Sequence, residues 1–198
     1  LKELAARRAD PDGGRRFFAQ VMTTCNGVMQ QIVRLPQPVI AAVNAAATAA
    51  GCQLVASCDL AVASSAASFA TPGVNIGLFC STPMVALARN VARKHAMEML
   101  LTGDPITADE ARRIGLVNRV TAAGSERDEA LALARKIAAK SAYVVKIGKQ
   151  AFYAQLELDR AAAYEYAGAV MVENMMARDA EEGIAAFVEK RSPAWGDC

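Results

Sequence analysis

The stretch AATAAGCQLVASCDLAVASSAASFATPGVNIGLFCSTP, from Ala46 to Pro83, sets small residues and a glycine before a helix-like apolar run and then a strand-like one. Just upstream, Pro38 to Val43 has the composition of a short buried strand, and Asn44 to Ala50 that of a loop. Gly51 to Ser57 is predicted to be a short helix and Leu60 to Ala63 a second buried strand. Strand, loop, helix and strand within about thirty residues indicate an α/β fold.

Further helices and short strands flank this α/β unit. Upstream, apolar residues recur at three- and four-residue steps from Phe17 to Val33, which predicts a long amphipathic helix. Downstream, the predicted elements are a turn at Thr71-Pro72-Gly73, a short strand at Val74 to Ile76, a helix at Thr82 to Leu101, a helix that a capping box at Thr107 to Glu110 opens and Gly115 closes, and a strand at Leu116 to Val120.

The C-terminal third carries no strand pattern and is predicted to be helical throughout. The expected helices are Glu126 to Ala139, Ala142 to Leu156, Asp159 to Arg178 and Ala180 to Lys190. We therefore divide the chain into an α/β core over residues 1–124 and a helical region over residues 125–198. Several of these helices have apolar faces, so the region either joins the subunits of an oligomer or covers the core.

Composition argues against several classes of partner. Across 198 residues, 22 Lys and Arg nearly balance 20 Asp and Glu, and no basic block is interleaved with aromatic residues, so we expect no nucleic acid partner. Polar residues and Gly51 interrupt the alanine-rich stretch, so we expect no membrane span. The five cysteines lack C-x-x-C spacing and predict free thiols in a reducing compartment, without disulfides or a metal; they are Cys25, Cys52, Cys58, Cys80 and Cys198.

The small residues at the start of the predicted short helix suit an anion site. A helix that begins at Ala50-Gly51 presents unsatisfied backbone N–H groups and the positive end of its dipole. Small side chains let a ligand approach that backbone, which is how a site for a developing oxyanion is built without a charged side chain. The alternative interpretation is that Ala45 to Gly51 is a tight crossing of backbones in a packed core.

Three motifs along the chain resemble a known family. PVIAAVNAAATAAGCQLVASCDLAVASSAASFATP, then LTGDPITADEARRIGLVNRV and finally EGIAAFVEKR are similar to sequences of the crotonase (enoyl-CoA hydratase/isomerase) superfamily, over essentially the whole chain. The resemblance implies an α/β spiral of ββα units whose C-terminal helices form trimers, often paired into hexamers. It also implies an acyl-CoA ligand with no further cofactor, and a location in the cytoplasm of a bacterium or the mitochondrial matrix of a eukaryote.

The same resemblance implies a set of site residues. Ala50 falls at the second of two backbone N–H donors that hold the thioester oxygen of an acyl-CoA as it becomes an enolate. The first donor belongs to a segment resembling A-G-x-D-L-K-E, of which Leu1-Lys2-Glu3 is the end, so we expect a strand and a turn upstream of Leu1. The implied acyl-CoA contacts are Ala46, Thr48, Gly51, Cys80, Phe187 and Lys190, the last two reaching an adjacent subunit. A solvated helix end is the alternative for Lys190.

The departures from the family pattern concern proton transfer. The two glutamates that act on water in the hydratases align with Gln53 and Gly73, and neither replacement exchanges a proton at neutral pH. Gln53 either orients a water or substrate group or faces a neighbouring backbone, and Gly73 after Pro72 suits a turn. Some branches place a catalytic aspartate at the position of Ser81, so Ser81 joins Ala50, Gln53 and Gly73 as the fourth candidate catalytic position.

Other nucleophiles and bases are poor candidates on the sequence. Neither Cys80 nor Ser81 has a base nearby in the sequence that would activate it. The single histidine, His95, lies in the middle of a predicted helix and is interpreted as a surface residue. Two functions follow: an acyl-CoA enzyme that stabilises a thioester enolate with unusual proton-transfer groups, or a catalytically weakened acyl-CoA-binding or regulatory protein.

Overall fold

The computed structural model of the chain describes residues 1–196; Cys198, one of the five predicted free thiols, lies outside the described residues. The α-helices are α1 Lys2–Arg7, α2 Arg15–Arg34, α3 Ala50–Ser57, α4 Ser81–Asn90, α5 Arg93–Thr102, α6 Ala108–Arg113, α7 Glu126–Ala138, α8 Ala142–Gln155, α9 Arg160–Met175 and α10 Arg178–Glu189. A 3₁₀ helix spans Pro72–Ile76. The strands are β1 Ile40–Val43, β2 Ala46–Thr48, β3 Leu60–Ser64, β4 Ser68–Ala70, β5 Ile106–Thr107 and β6 Arg119–Thr121.

The strands of the described residues form two small sheets. In one, parallel strands lie in the order β1-β3-β6, and in the other β2 and β4 are parallel while β5 runs antiparallel to β4. The central strand β3 is an almost continuous apolar run, and Val62 and Ala63 are fully buried, as expected of a strand covered on both faces. Helix α7 packs across β1, β3 and β6 and covers one face of the first sheet.

The predicted loop from Asn44 to Ala50 is wrong in one respect, because it contains strand β2. Ala46, Ala47 and Thr48 pair in register with Ser68, Phe69 and Ala70 of β4, which was not predicted either. Both strands have three residues, so the apolar alternation that identifies a strand is too short to see. The hydrogen bonds between β2 and β4, rather than local strand propensity, hold both segments extended.

Two further predicted elements differ in the structure. Val74 to Ile76 is part of the 3₁₀ helix rather than a strand; Pro72 occupies its first position and Gly77 ends it in the left-handed region. The predicted helix from Thr82 to Leu101 is two helices, α4 and α5, separated by an extended Val91. The side-chain amide of Asn90 donates to the Ala56 carbonyl at 2.7 Å, and Val91 is buried, so tertiary contacts stop α4 there.

A buried ion pair joins the start of the first sheet to the C-terminal helices. Lys149 Nζ on α8 donates to Asp59 Oδ2 at 2.7 Å and to the carbonyls of Ile32 and Gln37 at 2.9 and 3.0 Å. Asp59 also accepts from the Val39 N–H at 2.6 Å and from the Tyr153 hydroxyl at 2.9 Å. The cluster therefore ties the end of α2 and the entry to β1 to α8.

Among residues 1–196, no helix has both the length and the apolar composition needed to cross a bilayer.

Candidate functional site

The chain enters α3 through an unusual backbone conformation at Ala49. Its φ of 49° and ψ of −114° lie in a region that residues with a side chain rarely adopt and that costs about 1–3 kcal/mol. The Ala49 N–H donates to the Ala70 carbonyl at 2.9 Å, continuing the β2–β4 ladder, and its carbonyl accepts from the Gln53 N–H at 3.0 Å. The sheet on one side and the helix on the other thus hold Ala49 in this conformation.

The N-terminus of α3 is free to meet a ligand. Ala49 is the N-cap and provides no side-chain cap, so the first N–H groups of α3, from Ala50 onward, have no partner within the helix. Ala50 is exposed, and a Cβ placed on Gly51 would meet no atom within 4 Å. The start of α3 is therefore accessible at Ala50 and Gly51, as an anion site requires, while the nearby Ala47 is buried.

Strand β2 extends this accessible surface. Alternation along the strand buries Ala47 and exposes Ala46 and Thr48 on the opposite face. We call these two residues, together with Ala50 and Gly51, the site strip. Four of the predicted site residues therefore come together on accessible backbone.

Gln53 lies one turn further along α3, beside the site strip. The residue is only 5% exposed. Its backbone bonds to Ala49 and Ser57, but within residues 1–196 its side-chain amide has no hydrogen-bond partner and still keeps contact with solvent.

Gly73 has no room for a side chain. A Cβ there would lie 2.6 Å from the Leu78 carbonyl oxygen and 2.9 Å from the Cys80 sulfur. The φ angle of Gly73 is not positive, so a left-handed backbone would not strain a side chain at position 73. Close packing of the segment from Leu78 to Cys80 is the actual obstacle to a glutamate at this position.

Two thiols, one in α3 and one at its C-terminal end, are protonated at neutral pH. Burial raises the pKa of the Cys52 thiol to about 12, and the neighbouring Cys80 adds to the rise. Burial, with a further contribution from Asp59, raises the pKa of Cys58 to about 11. Because the thiolate is the nucleophile, Cys52 and Cys58 are inert packing residues. Cys25, Cys52, Cys58 and Cys80 are all free thiols in the described part of the chain.

Ser81 is exposed at the start of α4, and its hydroxyl donates to the Phe79 carbonyl at 3.3 Å. Among the residues that the structure describes, no side-chain base bonds to that hydroxyl. Cys80, the residue before it, is buried. Neither residue therefore has the base partner that an activated nucleophile needs.

Phe187 and Lys190 stand apart from the site strip. Phe187 is 85% exposed near the end of α10, and Lys190 ends that helix in the left-handed conformation with φ 56°. The packing of α10 is against α9. Within one subunit these two residues are not brought to α3, whereas the resemblance implied that they act on an adjacent subunit.

His95 also lies away from the site strip. It is half-buried on α5 and lines a cavity of about 100 Å³ with Glu98, Glu110 and five other residues. Over residues 1–196, no three His, Cys, Asp or Glu side chains are grouped so that they could hold a metal ion.

One large cavity was not predicted from the sequence. It has a volume of about 860 Å³ and lies between β1 and the helices α7 and α8, with Arg127, Lys140 and Lys146 among its lining residues. None of the predicted site residues lines it. The alanines at 130, 134 and 138 recur every four residues along α7, and this small-residue spacing is the signal in the sequence that indicates a groove.

Comparison with known proteins gives one consistent result. Residues 12–198 match the Enoyl-CoA hydratase/isomerase family. Human "Enoyl-CoA hydratase domain-containing protein 3, mitochondrial" is 54% identical over 195 residues, which are 98% of this chain and 63% of the human protein. The chain therefore spans a little under two thirds of the length of that relative.

Solved structures agree in fold. The crystal structure of human enoyl Coenzyme A hydratase domain-containing protein 3 superposes with a TM-score of 0.90 at 54% identity, covering 96% of this chain and 75% of that one. An enoyl-CoA hydratase of Mycobacterium smegmatis superposes with a TM-score of 0.91, also at 54% identity, covering 95% of this chain and 72% of that one. The predicted fold class is thereby confirmed.

Proposed function

Because the chain belongs to the enoyl-CoA hydratase/isomerase family, we propose that it binds acyl-CoA thioesters at the site strip and polarises the thioester carbonyl there. The observation that carries this proposal is the open, uncapped N-terminus of α3 behind the strained Ala49. The strain is held by the β2–β4 ladder and fixes the direction in which the next peptide N–H, that of Ala50, points.

The chemistry that this arrangement supplies is stabilisation of negative charge on the thioester oxygen. When solvent water takes the proton from the carbon next to the thioester, negative charge develops on that oxygen, and a backbone N–H already in place stabilises it. One such donor typically contributes about 3 kcal/mol to stabilisation of the transition state. Ala50 serves as well as glycine here because the donor is the backbone, and its own backbone is helical.

Hydration of an enoyl thioester is proposed to be close to background. Gln53 carries an amide that neither accepts nor releases a proton at neutral pH, and Gly73 has no side chain. Loss of a positioned acid or base typically lowers a rate by a factor of about 10² to 10⁴. Since the segment from Leu78 to Cys80 fills the space beside Gly73, no water-activating carboxylate is accommodated there.

A second candidate function, a non-catalytic acyl-CoA-binding or regulatory protein, is supported by the same observation at Gly73. If another acid or base had replaced the family glutamate at position 73, the fold would keep space there for its side chain, whereas a Cβ at 73 meets the Leu78 carbonyl oxygen. The two candidates differ in turnover, since only the first converts a bound thioester.

We also propose that the chain self-associates through its C-terminal helices. The C-terminal helices expose large apolar side chains, including Tyr164 at 77%, Met176 at 80% and Phe187 at 85%. Apolar surface on this scale is typical of a protein interface. We assign these helices to a trimer or a dimer of trimers, in which Lys190 would face the phosphates of an acyl-CoA bound to the adjacent subunit.

The test is a pair of measurements on the product of the whole gene. Titration with butyryl-CoA is expected to show binding with a Kd of about micromolar order, and crotonyl-CoA is expected to lose absorbance no faster than in buffer. Turnover of about 10 per second or more would show that the proton-transfer groups lie elsewhere. Absence of binding by every acyl-CoA tried would overturn the site itself.

A further inference from the structure

Residues 191–196 fold back along α10 after the chain reverses its direction at Lys190, and we call them the strap. Lys190 ends α10 with a φ of 56°, a conformation that favours glycine. Across the reversal the Arg191 N–H donates to the Ala186 carbonyl at 3.0 Å. A residue with a side chain persists in this conformation only where the surrounding structure holds it, so the contacts of the strap are the ones to examine.

The strap is bound along one face of α10. The Arg191 guanidinium donates to the two carboxylate oxygens of Glu182 at 2.6 and 2.9 Å, and the Ala194 N–H donates to the same carboxylate at 2.7 Å. Further along, the Gly196 N–H donates to Asp179 Oδ1 at 2.8 Å. Because Asp179 and Glu182 are three residues apart, they lie on one face of the helix, and the strap follows that face.

Trp195 connects the strap to a second helix. Its indole N–H donates at 3.0 Å to the carbonyl of Ala139, the residue that caps the C-terminus of α7. The last carbonyls of a helix have no partner within the helix, so this bond satisfies one of them. The Trp195 ring also packs against α10, because a Cβ placed on Gly183 would lie 3.3 Å from it. Trp195 therefore joins α10 to the end of α7, the helix that covers the first sheet.

Helix α10 has little other support. Among the helices and strands of the described residues, it packs mainly against α9. The face of α10 next to the strap is open, with Ile184, Phe187 and Val188 exposed by 61%, 85% and 73%. An element with few buried apolar contacts opens and reorients easily unless another contact fixes it. The strap is that contact, and it fixes the direction of α10 relative to α7.

We propose that the strap is a positioning device for self-association, in which Trp195 holds α10 in the direction that presents Ile184, Phe187 and Val188 to a second copy of the chain. This rests on the proposed function, in which the C-terminal helices form the interface. A segment that is already held in its bound conformation loses less entropy on binding. A protein whose binding-competent conformation is only partly populated binds more weakly in the same proportion. Release of the strap therefore weakens assembly although every interface side chain is still present.

The experiment follows the product of the whole gene by sedimentation and by hydrogen exchange of the α10 amides. Trp195→Ala removes both contacts of the indole, and Gly183→Val places a side chain where the Trp195 ring lies. In both variants we expect the α10 amides to exchange about tenfold faster and the concentration of half-assembly to rise about tenfold, while the amides of β3 exchange as in the wild type. The matched control is Ser192→Ala, because Ser192 is an exposed strap residue whose side chain forms no hydrogen bond within residues 1–196. It should behave like the wild type.

The outcomes distinguish the strap from the interface that it serves. If the wild type assembles and both variants assemble at the same concentration, or keep wild-type exchange in α10, the role of the strap is overturned and the interface stands. A wild type that sediments only as a monomer would instead overturn the proposed interface. If Trp195→Ala does not fold, Trp195→Phe keeps the ring on Gly183 and removes only the bond to Ala139; it should weaken assembly less than Gly183→Val does, and unchanged assembly in both would again overturn the strap.

Discussion

At the scale of single residues, Ala49 holds the backbone of the site strip in a conformation with φ of 49° that suits glycine. Ala49→Gly removes strain of about 1–3 kcal/mol but adds about 0.5–1 kcal/mol of unfolded-state entropy. We expect a net stabilisation of about 1 kcal/mol, measured as a rise in Tm of about 2–4 °C. The matched control Ala46→Gly, on a strand residue without positive φ, should lower Tm, and a fall in Tm for Ala49→Gly would show that the conformation is not strained.

Gly73 leads to a second prediction at this scale. Gln53→Glu with Gly73→Glu restores both family carboxylates in sequence, yet a Cβ at 73 would lie 2.6 Å from the Leu78 carbonyl oxygen and 2.9 Å from the Cys80 sulfur. We expect Gly73→Glu to destabilise the protein by about 1–3 kcal/mol and the double variant to show no gain in crotonyl-CoA hydration.

The control for that experiment is Gly148→Glu on α8. A Cβ there meets no atom within 4 Å, so the same substitution should leave urea unfolding unchanged or slightly more favourable to the folded state. A double variant at 53 and 73 that unfolds like the wild type and hydrates crotonyl-CoA would contradict the close packing around Gly73.

At the scale of elements, the Asp59–Lys149 pair holds α2, the entry to β1 and α8 together, with Nζ and Oδ2 2.7 Å apart. Lys149→Met leaves the Asp59 carboxylate, whose side chain is 14% exposed, without its cation, and we expect the free energy of unfolding in urea to fall by about 3 kcal/mol at a fixed protein concentration. Arg119→Met, which breaks an exposed pair with Glu129, should lose less than about 1 kcal/mol. Equal losses of unfolding free energy for Lys149→Met and Arg119→Met would mean that the Asp59–Lys149 pair stabilises the fold no more than an exposed pair does. The double variant Asp59→Asn with Lys149→Met should recover part of the loss, because it no longer leaves a carboxylate without a cation.

The helices and strands also show what the sequence can and cannot predict. Apolar periodicity and caps located α2, α3, β1, β3 and the helices after residue 125, because each of these elements records its burial in its own pattern. Strands β2 and β4 are three residues each and exist through their pairing with one another, so local pattern carries too little of their signal. The break between α4 and α5 depends on a bond from Asn90 to Ala56, which is 34 residues away in the chain.

For the candidate site as well, the sequence indicates some features and misses others. The small residues around Ala50 indicated in the sequence either an open N-terminus of α3 or a tight crossing of backbones. The strain at Ala49, the unpartnered amide of Gln53 and the closed space beside Gly73 depend on tertiary packing. The sequence therefore shows that both family glutamates are absent, but only the fold shows whether a glutamate would fit at position 73.

At the scale of the whole molecule, the exposed apolar side chains of the C-terminal helices predict self-association. We expect sedimentation at micromolar concentration to give a trimer or a hexamer, and Met176→Lys, at a position 80% exposed, to shift the distribution toward monomer. Ala132→Lys, on an exposed position of α7, is the control and should leave the distribution unchanged. A wild-type protein that sediments only as a monomer would count against the assignment of these helices to an interface.

Polarisation of a thioester at the N-terminus of α3 is the central claim about this protein, and one measurement observes it directly. Butyryl-CoA labelled with ¹³C at the thioester carbonyl is titrated with the product of the whole gene, and the carbonyl resonance is followed. The backbone donor at Ala50 predicts a downfield shift of the bound resonance, because hydrogen bonding withdraws electron density from the carbonyl carbon. A bound ligand whose carbonyl resonance stays at its position in water, or moves upfield, would contradict the account.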